Sequence, residues 1–179
     1  MSSSAAPAET EHRYWTLANA AVTYARSCVT TIGDDWGNNS LQATPGFAVY
    51  ANLRVGMQRQ FYGDGGDVRL IASQTKQTGR GNCGELAALA YVWLLDRGER
   101  PMAIAGWDNW ARDSHTFVLL GFDRSKDVME MAFHGETIWP QSLGENCVIC
   151  DPWRDCALPA SSYVTRGYKG INRISNSAR

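Results

Sequence analysis

Three residues carry the types and settings that nucleophilic chemistry needs: Cys83, His115 and Asp151. Cys83 sits in Gly79-Arg80-Gly81-Asn82-Cys83-Gly84-Glu85, a glycine-rich loop that runs straight into an apolar segment. Asn82 is a good helix N-cap, and Glu85 stands where it completes a capping box. Leu86, Leu89, Ala90, Trp93 and Leu94 then form the stripe of a core helix, and Gly98 marks its stop. Cys83 therefore falls in the first helical turn. Unpaired backbone N–H groups and the positive end of the helix dipole stabilise a thiolate there, and the thiolate is the nucleophile. The plain alternative is a small buried cysteine at a helix start.

A nucleophilic thiol needs a base, and the base needs an orienter. The chain has three histidines. His12 falls in the first turn of an N-terminal helix, and His134 is followed by Gly135 and reads as a turn residue. His115 opens the apolar run Thr116-Phe117-Val118-Leu119-Leu120 after a polar loop, the place of a side chain at a sheet end facing a cleft. Asp151 closes Cys147-Val148-Ile149-Cys150 and is followed by Pro152, so it is read as the orienter. Glu130 is the alternative acid. The backbone N–H of Cys83 supplies one oxyanion donor, and Gln77, six residues upstream, a side-chain donor, with Gln74 as fallback. Trp107, Trp110 and Trp153 are read as cleft residues that exclude water, core packing being the alternative.

These residues need elements to hold them. The spacing predicts a helix over 10–29, a loop over 33–40, and a second helix over 46–61 led by Thr44-Pro45. Residues 68–73 form a short apolar piece of either type. After the central helix, strands are expected over 102–106, 115–122, 128–134 and 146–151, the last halted by Pro152. The tail over 157–179 is mixed, with Tyr163 and Tyr168 as anchors. Helices followed by an antiparallel sheet read as one α+β domain over 10–179. Residues 1–9 read as a disordered leader. They lack the basic start and apolar core of a Sec signal peptide, and their Ser/Ala/Pro character suits a leader read by a specialised secretion system.

Composition narrows the classes. A chain of 179 residues with 44% apolar and 20% charged residues can bury a full core. A formal net charge of −1 gives no basic field for nucleic acid or an anionic membrane. No apolar run approaches the ~20 residues that span a bilayer. Five cysteines, an odd number unevenly spaced, do not form a disulfide scaffold in a chain of this length, so the thiols are expected mostly reduced in a cytosolic site of action. Cys147 and Cys150 form a CxxC, but on a strand that spacing points the side chains to opposite faces, which suits core packing better than zinc. Asp34 and Asp35 lack the alternation of a calcium loop. No metal or cofactor is expected.

The set Asn82-Cys83-Gly84-Glu85-Leu86-Ala87, Asp113-Ser114-His115-Thr116-Phe117-Val118 and Val148-Ile149-Cys150-Asp151-Pro152-Trp153 resembles the Cys, His and Asp motifs of the papain-like and transglutaminase-like superfamily. It is most similar to bacterial effector and toxin members, the type III effector cysteine proteases and the glutamine deamidases related to dermonecrotic toxins. Gln77 also stands where papain-like enzymes keep an oxyanion glutamine. The resemblance implies a papain-like core with N-terminal helices packed on the sheet, and a Cys83–His115–Asp151 triad acting on protein amides. It implies deamidation of glutamine first, with proteolysis or transglutamination by the same triad. It further implies secretion, action in the cytoplasm of a target cell, and a protein substrate, with a cognate chaperone or immunity protein as a further partner. His115 and Asp151 stand 36 residues apart, farther than is usual in the transglutaminase-like members, and an added hairpin over 128–139 is the expected cause. A catalytically dead interaction protein on this fold is the rival from another class, and acyl transfer from a small thioester a third reading.

Overall fold

The structure, a computed structural model, describes residues 7–32, 67–108, 114–163 and 170–178. The helix expected over 46–61, the loop over 33–40 with Asp34 and Asp35, and Trp110 and Tyr168 lie outside the described residues.

The chain first builds a helical layer. It consists of α1 (Pro7–Ser27), α2 (Val68–Thr78) and α3 (Cys83–Leu95), with the two-residue strands β1 (Thr31–Ile32) and β2 (Arg80–Gly81) paired in parallel between them. α1 starts at Pro7, so the end of the expected leader is helical. The apolar piece at 68–73 resolves as helix because both its ends are capped. The Asp67 carboxylate accepts from the Arg69 N–H at 2.8 Å, and Gly79 closes the helix with φ 64°. α3 starts as its sequence directs: the Asn82 N–H donates to Glu85 Oε2 at 3.1 Å, and Asn82 Oδ1 accepts from the Gly84 N–H at 3.2 Å. Gly81 is needed beside this box, since a Cβ there would lie 2.7 Å from Glu85 Cβ.

α3 is the centre of the molecule. Leu86, Ala87, Ala88, Leu89, Ala90, Tyr91 and Leu94 are all buried, a wider belt than the expected stripe. Ala18, Ala21 and Ala25 of α1 are fully buried in the same core. These methyl side chains, with Val22 beside them, let α1 approach α3 closely, and α3 is enclosed between helices and sheet.

The sheet has five antiparallel strands in the order β6–β5–β4–β3–β7: β3 (Met102–Asp108), β4 (Ser114–Leu120), β5 (Val148–Asp151), β6 (Cys156–Pro159) and β7 (Arg173–Ala178). The protein is thus α+β. Alternation along the strands splits the interior into two cores. Met102, Ile104, Val118, Leu120, Val148 and Cys150 face the helices. Ala103, Ala105, Trp107, Phe117, Leu119, Cys147, Ile149 and Leu158 form the second core on the opposite face.

The strand expected over 128–134 is instead a short helix, α4 (Val128–Phe133), and no hairpin spans 128–139. The Asp127 carboxylate accepts from the Glu130 N–H at 3.0 Å and starts a helical turn, and Gly135 at φ 73° ends it. Val128 is buried, and Met131 and Ala132 pack against the second core, so the apolar face has helical spacing and not a strand's alternation. A 3-10 turn at Pro140–Leu143 and an isolated bridge between Ile138 and Ile171 carry the chain back to β5.

Three tertiary contacts fix which ends of the layers coincide. Arg13, near the start of α1, grips both oxygens of Glu99, just past the end of α3, at 2.7 Å. Arg26, near the end of α1, donates to the Pro152 carbonyl at 3.0 Å. The Thr30 N–H donates to the Gly79 carbonyl at 2.9 Å, four residues before Cys83. α1 and α3 are therefore antiparallel, and the start of α3 shares an end of the molecule with the Asp151-Pro152 turn.

Gly106 sits on β3, between β4 and β7, opposite Thr116, and a Cβ there would fall 2.2 Å from the His115 carbonyl oxygen. Gly106→Ala is expected to cost about 1–3 kcal/mol through forced backbone displacement, read as a lower urea midpoint with an unchanged m-value.

Candidate functional site

His115 and Asp151 come from neighbouring strands. Val118 pairs with Cys150, so the register carries the start of β4 past the end of β5. Both residues have the parity of the second core, and their side chains stand on the face turned from the helices. There His115 Nε2 lies 2.6 Å from Asp151 Oδ2, with Asp151 wholly buried and His115 3% exposed. With the carboxylate accepting the Nε2 proton, the basic lone pair of the neutral ring belongs to Nδ1.

Aromatic rings enclose the imidazole. The Trp107 ring, cross-strand from His115, is 4.9 Å from it, Trp153 is 5.3 Å and Phe117 5.8 Å. Trp107 is buried and packs on Phe117 as well, so it belongs to the wall behind the histidine. Trp153 is half-buried and follows Pro152 in the turn.

The Asp151-Pro152-Trp153-Arg154-Asp155 turn is held from two sides. Asp151 Oδ1 accepts from the Arg154 N–H at 3.1 Å, and Asp155, a non-glycine residue with positive φ (55°), joins Arg26 of α1 at 3.2 Å. The Arg154 guanidinium lies 5.6 Å above the Trp107 ring and its Nε 3.9 Å from Asp151 Oδ2. Sequence reading missed Arg154 and Arg26. The signal for Arg154 was an Asp-Pro turn with an arginine three residues on, where an aspartate side chain caps the turn.

Cys83 is the first residue of α3 and is buried, at 4% exposed. It lies at the end of the molecule that carries the Asp151-Pro152 turn. Gln77 is exposed on α2, off that helix's buried stripe of Val68, Ala72 and Thr75. Gln74 is half-buried, and its Oε1 is covered without a hydrogen-bond partner among the described residues. Glu130 is exposed on α4, 3.9 Å from His134, and so is not part of an apolar strand.

Cys147 and Cys150 divide between the two cores, as strand alternation requires. Burial pushes the Cys147 thiol up to about 12. Burial first, then the Asp151 and Cys156 charges, raises that of Cys150. Among the described residues no group of three or more His, Cys, Asp or Glu side chains is placed to hold a metal ion, and no helix is long and apolar enough to cross a membrane.

Compared with known proteins, the chain matches no family model, no curated protein and no solved structure.

The raised thiols link stability to pH. Above the ordinary thiol value of 9.0 and up to about 12, the unfolded Cys147 ionises while the folded one stays protonated. This contribution is full below the lower value and is lost as pH rises through the window. The urea midpoint should fall between pH ~8 and ~10.5, and the fall should shrink in a Cys147→Ala/Cys150→Ala variant.

Proposed function

We propose that the protein is a thiol hydrolase of protein amides, with Cys83 as nucleophile, His115 as base and acid, and Asp151 as orienter. One observation carries this reading: a buried carboxylate–imidazole pair, 2.6 Å apart, stands at the end of the molecule where a helix begins with a cysteine. The papain-like and transglutaminase-like resemblance is in line with it.

The chemistry follows from the parts. Nδ1 of His115 takes the thiol proton, and the helix start stabilises the thiolate. The thiolate attacks the carbonyl carbon of a carboxamide, and the backbone N–H of Cys83 is offered to the oxyanion. Collapse of the tetrahedral species breaks the C–N bond, the imidazolium gives its proton to the departing nitrogen, and a thioester remains. Water, deprotonated by the same imidazole, hydrolyses the thioester, releases a carboxylate and restores the thiol. Asp151 holds the ring in one tautomer and stabilises its charged form. Since α3 and the His115 ring belong to opposite sides of the sheet, this scheme requires thiol and imidazole to meet around the strand ends and not across a sheet face.

The acyl donor in this reading is the side chain of a protein glutamine, and the setting is that of a bacterial effector or toxin delivered into a target cell. Incubation with candidate substrate proteins followed by intact-mass measurement tests it. A gain of about one dalton per modified site is expected from the wild type, and Cys83→Ala should lose at least about a thousandfold in rate. Fragments would mean proteolysis by the same triad. Full activity in Cys83→Ala would overturn the reading.

A further inference from the structure

We propose that Arg154 is a positioning residue that sets the proton affinity of His115. The inference deepens the proposed site and rests on the His115–Asp151 pair within it. Arg154 meets Asp151 twice: its backbone N–H donates to Oδ1 at 3.1 Å, and its Nε lies 3.9 Å from Oδ2, the oxygen that contacts His115. Its guanidinium lies above Trp107, and the Trp107 ring packs on the imidazole at 4.9 Å. Arg154 keeps about a third of its side chain exposed, at 33%, while Asp151 has none. The arginine thus caps the pair at its solvent side.

A carboxylate buried without a countercharge is costly, and it recruits a proton or a cation. If His115 were the sole cation available, the pair would hold itself as imidazolium and carboxylate, and the ring would carry no lone pair for a thiol proton. Arg154 sets a permanent charge beside Asp151, so less of the carboxylate's attraction is left for a proton on the imidazole. The same charge disfavours the imidazolium directly.

Of the other described groups near these strands, Arg173 of β7 donates to Thr116 Oγ1 at 2.7 Å. Asp155 of the same turn is bound to Arg26 of α1 at 3.2 Å. From β6, Cys156 stands opposite Asp151 in the ladder. Tyr163 follows the 3-10 turn at Ala160–Ser162, and burial pushes its hydroxyl up, so it stays neutral at physiological pH. Cys83 approaches from α3 in the proposed site. Trp107, Phe117 and Trp153 are uncharged. Asp151 is the anion bonded to His115, and Arg154 is a cation in contact with it.

The test is an NMR titration of the His115 ring, run in a Cys83→Ala background so that the thiol contributes nothing. In Arg154→Gln and Arg154→Met the ring should titrate about one pH unit higher, a tenfold gain in proton affinity. Arg154→Lys keeps the charge and should stay within about threefold of the parent. Methionine preserves apolar cover over Trp107, so at least one neutral variant retains the packing. Neutral variants titrating within about twofold of the parent would overturn the proposal, as would a lysine variant that moves as far as the neutral ones. A shifted ring titration with no amide hydrolysis in any Cys83-containing protein would leave Arg154's role standing and remove the hydrolase reading alone.

Discussion

A carboxylate with no solvent exposure, 2.6 Å from an imidazole, constrains everything around it. Burying Asp151 is tolerable only if both its oxygens are engaged and its charge is answered. The turn that follows meets the first demand through the Arg154 N–H, and the imidazole with the Arg154 guanidinium meets the second. The turn itself depends on α1, because Arg26 holds both the Pro152 carbonyl and the Asp155 carboxylate. An element formed at the start of the chain therefore buttresses a pair formed near its end.

The sheet does the dividing. Alternation sends Met102, Ile104 and Val118 to the helical layer and Trp107, Phe117 and Ile149 to the second core. His115 and Asp151 follow the second parity and are enclosed by aromatic rings, which shield their contact from water and strengthen it. Cys83 belongs to the helical side but begins its helix at the end of the sheet. The proposed site would take its nucleophile from one layer and its base from the other. The contacts of Arg13 with Glu99 and of Arg26 with Pro152 keep the two ends in step.

Local signals were the legible ones. Asn82 and Glu85 announce the start of α3 through a capping box that depends on four consecutive residues, and the structure contains it. His115 and Asp151 sit in strands bounded by strong signals, an apolar run in one case and a proline in the other. The pairing of those strands, and so the contact itself, is a tertiary fact. The segment at 128–134 reads as apolar, but the Asp127 cap and the helical spacing of Val128, Met131 and Ala132 against the second core make it helical. Gln77 stands six residues before Cys83, but on α2 it falls off the buried stripe of Val68, Ala72 and Thr75 and meets solvent. Arg154 and Arg26 escaped notice because their significance comes from what folds against them.

The central claim is that Cys83 and the His115–Asp151 pair act as one unit. It is tested most directly by the rate of iodoacetamide labelling at Cys83 as a function of pH, in the wild type and in His115→Ala. If His115 takes the thiol proton, wild-type Cys83 labels at pH ~6, faster than Cys28 and Cys156, and loss of the imidazole slows it by at least about tenfold there. Identical pH profiles for the two proteins would contradict the account.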